Sequence, residues 1–117
     1  MREKNKNYLS ILSIELLDLQ TDIESLIENC THAKEDGKLT EHVFMSNLTL
    51  FRNELLGVNV FGKIVDSTDP GGFSTLDEMI DHLKHRFDHE IRACGLSRAI
   101  YYYTERKMDK VARYVNQ

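Results

Sequence analysis

The chain has 117 residues, enough for one domain with its own core, and its 41% hydrophobic and 29% charged residues exclude a disordered chain. The net charge is −4, although residues 1–91 carry 9 Lys and Arg against 17 Asp and Glu, whereas residues 92–117 carry 6 against 2. This balance argues against a nucleic-acid binder and suggests that an acidic body packs against its own basic last helix. The alternative is a positive face for an acidic partner.

The first two predicted helices carry apolar residues spaced alternately by three and four positions, as on the buried seam of a helix. In the first helix, about residues 6–36, the seam consists of Leu9, Leu12, Leu16, Leu19, Ile23, Leu26, Cys30 and Ala33. The second, about residues 40–65, begins at the N-cap Thr40. Gly57 and Gly62 either permit close approach of another helix or mark a break, and we favour one continuous helix. Further apolar residues widen both seams and favour contact with a second subunit: Ile11, Ile14, Met45, Val60 and Phe61.

The second half of the chain reads as a loop followed by two shorter helices. Pro70 and Gly71 mark a turn within residues 66–74. Thr75 and Glu78 form a capping box for a third helix over about residues 75–94, which Gly95 ends. Its core positions are Leu76, Ile80, Leu83, Phe87, Ile91 and Cys94.

The fourth helix covers about residues 97–115, with Ser97 as its N-cap. Short connections favour antiparallel neighbours. We therefore expect one all-α domain over residues 1–117, an antiparallel up-down-up-down four-helix bundle.

The two cysteines, Cys30 and Cys94, both fall on predicted core seams, without the CxxC spacing of a metal or redox site. They are expected to be reduced and buried, as in cytoplasmic proteins. No stretch approaches the roughly 20 apolar residues of a membrane span, and Glu15 and Asp18 interrupt the apolar run near the N-terminus. We expect a cytoplasmic protein without a membrane segment.

Three of the five histidines lie within residues 81–92, at His82, His85 and His89. Their spacing places them on one side of the third helix, opposite its apolar seam. The simplest interpretation is a solvated polar face. The alternative is a transition-metal site, because His85 and His89 at i and i+4 can hold one ion. His82 and His89 are about 10.5 Å apart along the axis, so all three cannot share an ion. Candidates for a further ligand are His42, Glu78 and Asp81.

The segment Phe87-Asp88-His89-Glu90-Ile91-Arg92 resembles the phosphorylated-histidine box of bacterial sensor kinases, Phe-x-His-Glu-(Leu/Ile)-Arg. The resemblance implies that His89 accepts a phosphoryl group and that Glu90 is its acid/base neighbour. The family's usual Thr-Pro is replaced here by Ala93 and Cys94, and no glycine-rich ATP-binding segment is present. The chain would therefore receive and pass on a phosphoryl group, like a histidine phosphotransfer protein.

Tyr101, Tyr102 and Tyr103 are consecutive and span about 200° of the fourth helix, so they cannot all face one core. Tyrosine is favoured at protein interfaces, which makes the triplet a candidate dimer contact. The fourth helix also carries five basic residues: Arg98, Arg106, Lys107, Lys110 and Arg113. No nucleic-acid recognition motif accompanies them.

The sequence contains no nucleophile elbow, P-loop or HExxH pattern, so no motif of this kind indicates an enzyme. The leading expectation is a non-enzymatic protein-interaction or regulatory module without a cofactor. It is expected to form a homodimer and to bind a protein partner that the sequence does not identify. Phosphotransfer through His89 is the first alternative. Metal binding by the His82, His85 and His89 face is the second.

Overall fold

The computed structural model describes residues 2–117, with side chains from Glu3 onward. It contains four α-helices, α1 (Arg2–Glu35), α2 (Glu41–Asp66), α3 (Leu76–Cys94) and α4 (Arg98–Val115), and a 3₁₀ turn at Pro70–Gly72. No β-strand occurs within residues 2–117. The all-helical architecture is thus confirmed. None of these helices is both long enough and apolar enough to cross a bilayer.

The helix starts follow the predicted caps. The Thr40 hydroxyl accepts the N–H of Val43 at 3.2 Å, and the Thr75 hydroxyl accepts the N–H of Glu78 at 3.1 Å. The Glu78 carboxylate in turn accepts a hydrogen bond from the N–H of Ser74 at 3.2 Å, and Ser74 lies one residue before the cap. These bonds satisfy N–H groups that a helix leaves without internal partners.

Two glycines end α1 and α3. Gly37 has φ 75° and Gly95 has φ 66°, values in the left-handed region that favours glycine. The helix α2 runs without a break through Gly57, and this glycine permits the close approach of α4. A Cβ added there would lie 2.8 Å from Cγ2 of the fully buried Ile100 on α4.

The core lies where α3 and α4 cover α1 and α2. Its centre is the stacked pair Phe61 and Phe87, with ring centroids 4.5 Å apart. Phe61 is fully buried, so its assignment to an intersubunit surface was wrong. Cys94 is exposed, which corrects its place on the α3 seam. The helix ends at this residue, and Leu96, after the Gly95 turn, closes the core instead.

The structure also joins the basic last helix to the acidic body. Lys107 and Lys110 of α4 bind the Glu15 carboxylate of α1 at 3.3 and 2.9 Å. The hydrogen bond from the Lys110 side chain is the main cause that lowers the pKa of Glu15. Nearby, the buried Tyr8 hydroxyl donates to the backbone carbonyl of Met108 at 3.4 Å.

The two long helices extend beyond the two short ones. The N–H of Ser97, in the turn between α3 and α4, donates to Oδ1 of Asn53 at 3.0 Å, which places that turn beside the middle of α2. The tips of α1 and α2 meet through the Lys34–Glu41 ion pair at 2.7 Å. We call the part beyond the α3–α4 turn the arm, about residues 23–52. The radius of gyration is 16.4 Å, against roughly 13 Å for a compact chain of this length.

Candidate functional site

The three histidines of α3 are exposed, as predicted, but do not converge. The Nδ1 atom of His85 lies 2.8 Å from the backbone carbonyl of Asp81, and the His82 ring packs against Phe73 with centroids 5.1 Å apart. Across residues 2–117, no group of three or more potential ligand side chains is placed to hold a metal ion. The proposed additional ligand His42 lies in the first turn of α2, on the arm. Metal binding by the histidine face remains an untested prediction without geometric support.

Two arginines of α3 lie near His89 along the helix. On a helix, its neighbours three residues away are Arg86 and Arg92, and both are exposed. Asp88 is engaged by Arg98 at 2.6 Å and by Arg92 at 3.1 Å, and the hydrogen bond from Arg98 is the main cause that lowers the pKa of Asp88. Arg92 is therefore already paired with a carboxylate of its own helix.

The tyrosine triplet divides into one packed ring and two exposed rings. Tyr101 is half-buried and stacks on Phe87 with centroids 6.1 Å apart. Tyr102 and Tyr103 are 55% and 46% exposed. The guanidinium of Arg98 lies 5.2 Å from the Tyr101 ring centroid and 6.0 Å from that of Tyr102. Because two of its rings are exposed, the triplet remains a candidate interface.

A more extensive surface lies on the arm, where a second seam runs along α2. Its members alternate at four and three positions: Val43, Asn47, Leu50, Glu54, Gly57, Phe61 and Ile64. The C-terminal half is buried against the short helices, with Gly57 beside Ile100 and Phe61 on Phe87. The N-terminal half points in the same direction along the arm, past the ends of α3 and α4. Val43 and Leu50 of this half therefore face open space, whereas Asn47 is half-buried and Glu54 is buried.

Leu26 of α1 faces the same space. It lies 18 residues after Tyr8, which is five full turns at 100° per residue, and within 20° of Glu15. Both of those residues bond to α4. Leu26 belongs to the predicted seam of α1 but is exposed, because α4 does not extend that far along α1. We call the uncovered surface the arm face. It consists of Leu26, Val43, Asn47 and Leu50, with the largely buried Glu54 at its inner end.

The arm face is apolar with two polar members. Leu26, Val43 and Leu50 are 45%, 41% and 47% exposed. Glu54, at the inner end, is only 9% exposed, and burial raises the pKa of its carboxyl. No hydrogen bond or ion pair reaches that carboxylate from any residue that the structure describes. The spacing that identifies this seam is present in the sequence, but Asn47 and Glu54 hide it from a search for apolar residues.

Other exposed apolar residues lie on the opposite side of the hairpin. Leu17 is nine residues before Leu26, half a turn away at 100° per residue, and Leu56 borders the same outer groove. This groove also contains the charged residues Lys63 and Asp66. Unlike the arm face, it does not continue an interface that exists elsewhere in the molecule.

Comparisons with protein-family models, curated proteins and solved structures found no match to this chain.

Proposed function

We propose that this protein is a non-enzymatic interaction module and that the arm face is its working surface. The observation that carries the proposal is the second seam of α2, whose body half packs on α3 and α4 while its arm half is uncovered. Heptad-spaced side chains on one side of a helix are suited to packing against another helix. Exposed apolar patches of this kind mark interaction sites.

The surface area reflects the extended arm. The chain exposes 7203 Å², whereas a monomer of 13.6 kDa is expected to expose about 6,600 Å². The excess, about 600 Å², follows from the elongated shape, in which the arm extends past the two short helices.

We propose the antiparallel up-down-up-down order for the bundle. Three contacts support it: Lys34 with Glu41 between α1 and α2, and Lys84 with Glu105 and Asp88 with Arg98 between α3 and α4. The last two pairs run in opposite directions along their helices.

A cytoplasmic location is proposed from the two free thiols, Cys30 and the exposed Cys94, which suit a reducing compartment.

Photo-crosslinking in the native cell tests the working surface. A photoreactive phenylalanine in place of Leu50 is expected to give a covalent adduct with another polypeptide, identified by mass spectrometry. The same residue in place of Arg113, exposed on α4, is the control and is expected to give none. The proposal fails if position 50 gives no adduct, or if both positions give the same one.

Phosphotransfer through His89 is the second candidate, and the observation that favours it is the exposed ring between Arg86 and Arg92. Phosphoramidate is a suitable donor: a bond forms between phosphorus and an imidazole nitrogen, the P–N bond of the donor breaks, and ammonia leaves. We expect acid-labile, alkali-stable phosphate on the wild type and on His85→Gln, and none on His89→Gln. Equal labelling of all three proteins excludes a specific role for His89.

A further inference from the structure

We propose that the arm face is occupied by the arm of a second copy of this chain, with a two-fold axis passing beside Asn47. This inference rests on the proposed function and names the partner. A second copy turned through 180° lays its α1 and α2 over the arm face, in the positions that longer α3 and α4 helices would fill. Each arm thereby completes a four-helix layer for the other.

The symmetry fixes which residues meet. The uncovered apolar seam positions of α2 are Val43 and Leu50, so an axis midway between them passes next to Asn47. Leu50 of one copy then packs against the second copy's Val43, and each pair occurs twice. The two Asn47 amides face each other at the axis. An amide both donates and accepts, so an identical amide across a two-fold satisfies it, and such a polar pair sets the register of packed helices.

The same axis brings opposite charges together at both ends of the interface. Glu54, which lies seven residues from Asn47, meets the tip of the other arm, where Lys38 is exposed. The tip also carries the acidic pair Glu35 and Asp36, and it approaches the second copy's α3–α4 turn. Just before that turn, the end of α3 carries Arg92, whose side chain is 73% exposed and pairs with Asp88 of the same helix. The paired arms therefore match in charge as well as in apolar pattern.

The expected interface is modest. The arm face has only three exposed apolar side chains, Leu26, Val43 and Leu50, so we expect a reversible dimer rather than an obligate one. Both states then exist in an accessible concentration range, and mass can be followed by sedimentation equilibrium between about 1 and 200 µM. The wild type is expected to approach twice 13.6 kDa at the upper end.

Charge reversal supplies the decisive test. Glu54→Lys and Lys38→Glu are each expected to weaken association at least about tenfold, because each places like charges together. The double variant Glu54→Lys/Lys38→Glu is expected to recover most of the wild-type affinity. Recovery of this kind cannot arise from a local folding defect at either site.

Leu50→Glu is expected to remain monomeric throughout the range, whereas the control Tyr102→Ala dimerises as the wild type does. A wild type that stays monomeric at 200 µM overturns the inference, and so does a double variant no better than the single ones. If Leu50→Glu does not fold, the charge-reversal set alone decides. An adduct from position 50 that contains a different protein leaves the interaction module standing and removes only the self-association. No adduct removes both.

Discussion

Gly57 is the residue whose substitution most directly tests the packing of α2 on α4. It lies inside a helix, where alanine is ordinarily better than glycine by about 0.5–1 kcal/mol. An added Cβ would lie 2.8 Å from Cγ2 and 2.9 Å from Cγ1 of Ile100, which is fully buried. Both are γ carbons of a β-branched side chain, so relieving the contact requires a disfavoured χ1 rotamer or a shift of α4.

Overpacking of a core by one methyl costs about 1–3 kcal/mol, which exceeds the gain in helix propensity. We expect Gly57→Ala to lower the free energy of unfolding by about 1 kcal/mol and the Tm by roughly 4 °C. Gly62 provides the matched control on the same helix, because no atom lies within 4 Å of its added Cβ. Gly62→Ala is expected to raise the free energy of unfolding by about 0.5–1 kcal/mol.

Urea unfolding followed by circular dichroism, at one fixed protein concentration, measures both changes. Ile100→Ala removes the two crowded carbons and by itself costs about 2–5 kcal/mol. In that background Gly57→Ala should no longer destabilise, since the contact that opposed it is gone. A Gly57→Ala variant as stable as the wild type would refute the close approach of α2 and α4. A destabilisation that persists beside Ile100→Ala would assign the cost to something other than this contact.

Three further outcomes follow from buried or paired side chains. Asn5, fully buried, donates to two loop carbonyls, including that of Phe73 at 3.2 Å, so Asn5→Ala should cost about 1–3 kcal/mol and speed limited proteolysis of the loop. The two lysines that lower the pKa of Glu15 make its stabilisation present above about pH 4.3, the unfolded value, and lost as pH falls through the folded value. Acid titration of stability should therefore be flatter for Glu15→Gln than for the wild type. Tyr8→Phe removes a long hydrogen bond to α4 and should cost about 0.5–1 kcal/mol in urea unfolding.

Local signals predicted the helices well. Thr40 and Thr75 cap their helices as expected, and Gly95 ends α3, because each cap depends on one residue and a few neighbouring backbone groups. The histidine face was also placed correctly on the exposed side of α3, because helical periodicity alone decides it.

The errors share one physical origin. Cys94 and Leu26 both lie at seam positions yet are exposed, whereas Phe61 was assigned to an outer surface yet is buried. Spacing shows which side of a helix seeks a neighbour, but not which neighbour supplies the contact or where it ends. The lengths of α3 and α4 decide both, and the bond between Ser97 and Asn53 marks where these two helices stop along α2.

The composition of the α2 seam differs between the half that α3 and α4 cover and the half that we propose to pair with a second copy. Its body half, from Gly57 to Ile64, has no polar side chain and is permanently covered by α3 and α4. Its arm half interrupts Val43 and Leu50 with Asn47 and Glu54. Such groups weaken a core, because each loses hydration on burial, but they keep an exposed helix soluble and penalise wrong registers. This change in composition near the end of the covered region is what the proposed reversible interface would require.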